Sequence, residues 1–354
     1  MVKRSSSGIK GGIDLTNVGF VGLGKMGMLH LMNIRFIDEV HVIAAADRSK
    51  RALKKARSYG VKKLYSSYQD LFADCSELDA VVVSVPNFLH FDVIQSALEA
   101  DVDIFVEKPL ANTTQQCEEI IKSVNKSGKK LMVGHVLRFF SDVQKMKEIA
   151  DKGHIGNIEV ITLERIASGP FSHGIVPKPV PEWWFDPKKV GGGVMLDLGY
   201  HLIDLFRFLV GDCKLLYSHL DYKFNLPLED TAIAVVQSMN SAAKGIIHVG
   251  WYEKTIFPQN DSRIIIHGDA GYTSTKHFEP RSIYAHAAKE GIKNLFRKIV
   301  GRKIRPLGYA YGYDAFYEEL KHFFECVQND LEPDVSAVDG LKTIELIEEA
   351  YRQE

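Results

Sequence analysis

The chain has 354 residues, 45% apolar and 25% charged, with 44 Lys+Arg against 45 Asp+Glu and a formal net charge of −1. This is ordinary globular usage, and the length is enough for two domains. The charge balance excludes a bulk nucleic-acid binder, and apolar runs such as 80–85 are far short of the roughly 20 residues that span a bilayer.

In chain order, residues 1–13 read as a loose, polar, basic tail. No apolar signal core follows the opening MVKRSSSGIKGG, so a cytoplasmic protein is expected. From residue 14 to 136, short β-rich runs alternate with helical patterns. Strands are expected at 17–21, 40–46, 80–85, 104–106 and 131–134. Helices are expected at 27–36, 49–58, 88–100 and 113–127. Such alternation predicts βαβ units and a doubly wound parallel sheet, a Rossmann domain. Residues 137–354 read differently. A helix near 142–152 and a strand at 158–166 precede a Pro/Gly/Trp-rich loop at 168–193. A helix at 194–210 follows. Strand-like runs at 214–224, 231–238, 245–252 and 263–268 then succeed one another without helices. That predicts an α+β domain with a large, open, mainly antiparallel sheet. Helices at 314–328 and 338–351 close the chain. Cys75, Cys117, Cys213 and Cys326 form no CxxC pair, which argues against a disulfide framework or structural zinc. No metal is expected.

Gly22, Gly24 and Gly27 have the G-x-G-x-x-G spacing between a strand and a helix, with Leu23, Lys25 and Met26 between them. The first glycine permits a tight turn. The second lets a pyrophosphate approach the backbone, and the third lets helix and strand pack closely. Asp47 ends the next strand, 20 residues after Gly27. It suits a ribose 2′-hydroxyl and favours NAD, and it could also cap the following helix. Arg48, Lys50 and Arg51 leave NADP as the alternative.

Lys108 lies at the carboxyl edge of the fifth strand, where α/β sheets bind ligands. It is either a group that stabilises a developing oxyanion or a surface lysine before a proline turn. Asp197 and His201 stand four residues apart on a helix after Gly191–Gly193. The pair reads as a general acid/base unit, a helix-surface ion pair or half a metal site. Asp204, three residues past His201, reads as a structural residue or as another partner for the imidazole.

The motifs GFVGLGKMG, AAADRSKRA, VVVSVPNFLH, VEKPL, GHVLRFF, IGNIEV, EWWFDPKKVGGGVMLDLGYHLIDL and HGDAGY occur in that order. The chain resembles the Gfo/Idh/MocA oxidoreductases, the glucose–fructose oxidoreductase and inositol dehydrogenase family, over residues 15–350. The resemblance implies a catalytic triad of Lys108, Asp197 and His201. His201 would be the base and Lys108 would polarise the same oxygen, with Asp197 orienting the substrate. Ser84, Pro86, Asn87 and His90 match the segment lining the nicotinamide ribose. Glu107 precedes the lysine as in the family, where the Lys–Pro bond is often cis. Arg138 matches an arginine near the pocket, and Trp184 a tryptophan that serves as a substrate contact or a core anchor. The implied function is NAD(P)-dependent hydride transfer with a secondary alcohol of a sugar, polyol or nucleotide sugar. The rivals are an NAD-dependent glycosidase that transiently oxidises C3 and a non-catalytic dinucleotide-binding regulator. A homo-oligomer through the C-terminal sheet is expected by analogy.

Residues 281–305 carry eight basic groups and one acidic, Glu290. Ile292, Leu295, Phe296, Ile299 and Val300 recur at helical spacing, giving an amphipathic basic helix. It either packs its apolar stripe on the sheet or a neighbouring subunit, attracts an anionic substrate, or touches an anionic membrane.

Overall fold

The computed structural model describes residues 15–171, 180–252, 260–277, 283–302, 304 and 313–353. The expected tail at 1–13 and parts of the 168–193 loop and of the basic stretch lie outside the described residues. The chain divides into two compact units.

The first unit takes in the described residues of Met1–Ala111, Gln115–Gly134 and Tyr311–Gly340. Its elements begin β1 Thr16–Val21, α1 Lys25–Ile34, β2 Val40–Ala46, α2 Lys50–Ser58, β3 Lys63–Tyr65 and α3 Tyr68–Asp74. They continue β4 Ala80–Val83, α4 His90–Glu99, β5 Asp103–Glu107, α5 Thr114–Ser127 and β6 Leu131–Gly134. The sheet order is β3-β2-β1-β4-β5-β6, all parallel. β1, β4 and β5 are apolar because helices cover both faces, and Phe20, Val82 and Phe105 have no exposed surface. Two elements, β3 and α3, escape the sequence reading, since three and seven residues carry little periodicity. β4 stops at Val83, two residues before the expected end, where Ser84 N–H donates to Val21 O at 2.8 Å and the chain turns away.

The second unit takes in Asn112–Thr114 and the described residues of His135–Ala310 and Leu341–Glu354. It contains α6 Ser141–Asp151, β7 Ile158–Ala167, α7 Pro187–Val190, α8 Tyr200–Val210, β8 Cys213–Asp221 and β9 Thr231–Ser238. β10 Lys244–Trp251, β11 Asn260–Gly268, β12 Gly271–Ser274 and α9 Ile283–Ile299 follow. The sheet order is β12-β11-β7-β10-β9-β8. β7 and β10 are parallel, and the remaining pairs are antiparallel. The sheet is therefore mixed, because β7 enters its centre between strands that come later in the chain. Ile161, Leu163, Ile247 and Val249 are buried on the helix-covered face. The opposite face exposes Tyr217, Ile233, Ile246 and Tyr272.

Two long helices close the chain, α10 Tyr313–Asn329 and α11 Ala337–Arg352. α10 packs on the first unit through Phe316 against His30 and Phe323 against Phe105. The basic segment forms the expected helix, α9, but inside out. Glu290 and Asn294 face inward, with Lys293 and Arg297 paired to Glu290. Ile292, Leu295, Phe296, Ile299 and Val300 are exposed. The stripe is not packed on the chain's own sheet, because the polar side of the helix takes the inward position.

Candidate active site

In the first unit, Gly22 has φ +90° and its N–H donates to Ala46 O at 2.9 Å. A Cβ there would lie 2.5 Å from Ser84 O, and one on Gly27 would lie 2.0 Å from Gly22 O. These two glycines are required by backbone packing alone. Gly24 differs, since a Cβ there would meet nothing within 4 Å. Gly24 caps α1 and offers no side chain to its N–H groups. The helix start is thus an open, uncapped, electropositive end, as a phosphate requires. Lys25 is exposed and Met26 half-buried beside it, while Leu23 is buried.

Both Asp47 oxygens accept backbone N–H groups, from Leu23 at 2.6 Å and Ser49 at 2.7 Å. The carboxylate therefore ties the glycine loop to the end of β2. Ser49, not Asp47, caps α2 by accepting from Ala52 N–H. Arg48 is exposed next to it. Ser84 Oγ is buried with no hydrogen-bond partner among the described residues. An orphaned hydroxyl beside an open helix end fits a bound dinucleotide. Pro86 and Asn87 follow in a short 3₁₀ turn. His90 is buried, with Nδ1 2.6 Å from Pro109 O and Nε2 3.1 Å from Val85 O. Burial pushes its imidazole below the usual range, against the pull of those carbonyls. Grouped with cofactor residues by motif, His90 holds the Val85 and Pro109 segments together from beneath.

Lys108 is half-buried at the end of β5 and precedes a cis bond to Pro109. Behind it, Glu107 Oε1 lies 2.6 Å from Nε2 of His30, which has no exposed side chain. Burial opposes the charged carboxylate, but the His30 hydrogen bond and the charges of His30 and Lys108 outweigh it and hold Glu107 below the usual range. His30 was not legible as a partner, because 77 residues separate the pair.

In the second unit, the expected helix at 194–210 is broken by a π-helical turn at Met195–Gly199 before α8. Asp197 sits in that turn and His201 in the first turn of α8, so the interval between them is not regular α-helix. Such widened turns recur at functional sites. The turn is anchored by Glu229, whose carboxylate accepts N–H groups from Gly193 at 2.9 Å and Met195 at 3.0 Å. Tyr351 O–H also donates to it, at 2.7 Å. Burial pushes the Glu229 carboxyl up, and these bonds oppose that. The glycine run now has a cause. A Cβ on Gly193 would lie 2.2 Å from Glu229 O, and one on Gly192 2.1 Å from the Tyr351 hydroxyl.

Asp197 Oδ2 accepts from Trp251 Nε1 at 3.3 Å, and Trp251 lies 5.3 Å from the Trp184 ring. Trp184 is half-buried, and His201 is buried. Arg138 does not stand open to a pocket. Its Nε and Nη2 donate to Asp204 at 2.8 and 2.5 Å, while His135 Nδ1 lies 2.9 Å from the same carboxylate. Burial opposes ionisation of Asp204, but His135 and Arg138 hold its carboxyl well below the usual range. Asp204 is structural, as expected. Trp251 and Glu229 are not legible as site residues, since each reads in sequence as an ordinary strand or turn residue. Among the described residues no cluster of three His, Cys, Asp or Glu could hold a metal ion, and no helix is long and apolar enough to cross a membrane.

A dinucleotide cradle on a Rossmann sheet, followed by a mixed sheet carrying an Asp/His helix, defines an NAD-binding oxidoreductase. The oxidoreductase family with an NAD-binding Rossmann fold matches residues 16–135, and its C-terminal α/β domain matches residues 147–354. The chain belongs to this Gfo/Idh/MocA family. It is 28% identical over 336 residues to a myo-inositol 2-dehydrogenase of Thermotoga maritima, covering 91% of each chain. It is 25% identical over 341 residues to an inositol 2-dehydrogenase of Rhizobium meliloti, covering 94% of this chain and 95% of that one. In fold it is similar to scyllo-inositol dehydrogenase from Lactobacillus casei with bound NAD(H) and scyllo-inositol. That similarity has TM-score 0.77 and 21% identity, over 96% of both chains.

Proposed function

We propose that the chain is an NAD-dependent dehydrogenase acting on a secondary alcohol of a sugar, polyol or nucleotide sugar. The observation that carries this reading is the cradle itself. Gly24 is open above an uncapped helix, Ser84 Oγ has no partner among the described residues, and Asp47 directly follows β2. Family membership and the inositol dehydrogenase relatives support the alcohol as substrate.

When bound, NAD supplies a hydride acceptor at nicotinamide C4. His201 takes the proton of the reacting hydroxyl, since a neutral imidazole is a base matched to neutral pH. Lys108 hydrogen-bonds the same oxygen and stabilises the negative charge that develops on it. Asp197, held by the Trp251 indole, orients the substrate. The exposed apolar residues of the second sheet support a homo-oligomer through that face. A cytoplasmic setting is part of the same reading.

The test is NAD reduction followed at 340 nm over sugars, sugar phosphates, nucleotide sugars and inositols. At least one should give steady NADH release, and Lys108→Ala and His201→Ala should each lower it by about 10²-fold or more while NADH still binds. Aglycone release from glycosides without net NADH would mark a glycosidase instead. Dinucleotide binding without any turnover would mark a regulator.

A further inference from the structure

Arg165 lies on β7, on the same helix-covered face as the fully buried Ile161 and Leu163. It stands level with Val249 of β10 and Ser262 of β11. Two residues further along this end of the sheet, Ala167 is level with Trp251, whose indole donates to Asp197. Arg165 Nε and Nη1 are buried, and neither has a hydrogen-bond partner among the described residues. The neighbouring acid cannot serve. Glu164 points to the opposite face, 3.2 Å from His248 Nδ1 and 3.9 Å from Arg263 Nη1. Burial pushes the guanidinium down to about 10, and Asp197 is the carboxylate whose charge opposes this. The side chain therefore stays cationic at neutral pH.

Arg165 as a whole is half-buried, but two buried guanidinium donors without acceptors are a costly arrangement. A core arginine would have been given a carboxylate, as Arg138 is given Asp204 in the same unit. Nε and Nη1 of Arg165 do not reach Asp197, whose Oδ2 accepts from the Trp251 indole. Among the described residues, Nε and Nη1 lack acceptor atoms and a contacting negative charge. Neutral hydroxyls supply only the first. A carboxylate or phosphate supplies both.

We infer that Arg165 is a substrate-binding residue that reads an oxyanion, so the alcohol oxidised is borne by a sugar acid or a phosphorylated sugar. This rests on the dehydrogenase reading above. The oxyanion docks on Arg165 toward the Ala167 end of the central strand β7 and fixes which hydroxyl is presented for oxidation. Neutral inositols lack this handle.

The experiment compares glucose, glucuronate and glucose 6-phosphate, and the galactose-configured set, with wild type, Arg165→Met, Arg165→Gln and Arg165→Lys. NADH binding checks that each variant is folded. Initial rates give kcat/KM, and thermal shift in the presence of NADH gives binding without turnover. Wild type should prefer one anionic form over the neutral sugar, and the preferred form separates carboxylate from phosphate. Arg165→Met and Arg165→Gln should lower the anion-to-neutral ratio by about 100-fold, with Arg165→Lys recovering part of it. A wild type indifferent to the anion overturns the inference. So does a ratio unchanged by Arg165→Met and Arg165→Gln, or an anion-dependent thermal shift that survives both. If no compound reduces NAD but an anion stabilises wild type and not Arg165→Met, the binding site stands and the dehydrogenase reading falls. If inositol reduces NAD equally well in wild type and variant and anions do nothing, the reverse holds.

Discussion

The Trp251 indole N–H, at the last position of β10, donates to the Asp197 carboxylate in the π turn at 3.3 Å. The ring is 1% exposed and lies over Gly169, where a Cβ would come within 2.3 Å of Trp251 Cγ. The indole is therefore clamped between Gly169 and the helix that carries the acid. Trp251→Phe keeps an aromatic ring in this place, though a smaller one, and removes the donor. It should lower kcat/KM about tenfold, within the range for a hydrogen bond to a charged group, and leave NADH affinity unchanged. An unaltered kcat/KM would show that Asp197 is held without the indole.

The two outer glycines of the loop and the middle one should respond oppositely to alanine. Gly27→Ala places a methyl 2.0 Å from Gly22 O, so it should destabilise the fold by about 1–3 kcal/mol or more. Gly24→Ala meets open space. It should keep the wild-type melting temperature and weaken NADH binding by about tenfold, ~1.4 kcal/mol. Equal NADH affinity in Gly24→Ala and wild type would mean that the dinucleotide does not cross this helix end.

Asp47 bridges Leu23 and Ser49 through backbone N–H groups. On the proposed function, Asp47→Ala should weaken NAD more than NADP, because it removes a carboxylate placed to pair with a ribose hydroxyl and to repel a 2′-phosphate. Equal loss for both cofactors, measured by NADH and NADPH fluorescence titration, would reduce its role to bracing the loop.

Asp204 contributes to the acid sensitivity of the second unit. Its folded carboxyl is held below the unfolded value by His135 and Arg138, with burial opposing. The unfolded state then binds more protons over the interval between the two values. The contribution is full above about pH 4 and is lost as pH falls toward the folded value. Asp204→Asn leaves Arg138 and His135 without their anion and should cost about 3–5 kcal/mol at pH 7. Denaturant midpoints from pH 7 to 3 should fall less steeply in the variant than in wild type. Parallel slopes would place the acid sensitivity elsewhere.

The parts of this protein that its sequence determined are those set within a few neighbouring residues. The βαβ alternation, the glycine turn and the amphipathic run at 292–300 follow from spacing along one element. Their physics is local: side-chain periodicity, the left-handed φ at Gly22, and a helix start without a cap. The tertiary structure decided what joins residues far apart. Sheet register and packing bring Trp251 to Asp197, Glu229 to Gly193, His30 to Glu107 and Arg138 to Asp204. Strand order also put β7 between β10 and β11, which sets one parallel pair, β7 with β10, into the expected mainly antiparallel sheet. Packing turned the polar side of α9 inward although its apolar stripe was correctly read. The same packing left Nε and Nη1 of Arg165 buried without an acceptor among the described residues. No sequence pattern marks that arginine, because nothing local distinguishes a guanidinium that has a partner from one that lacks it.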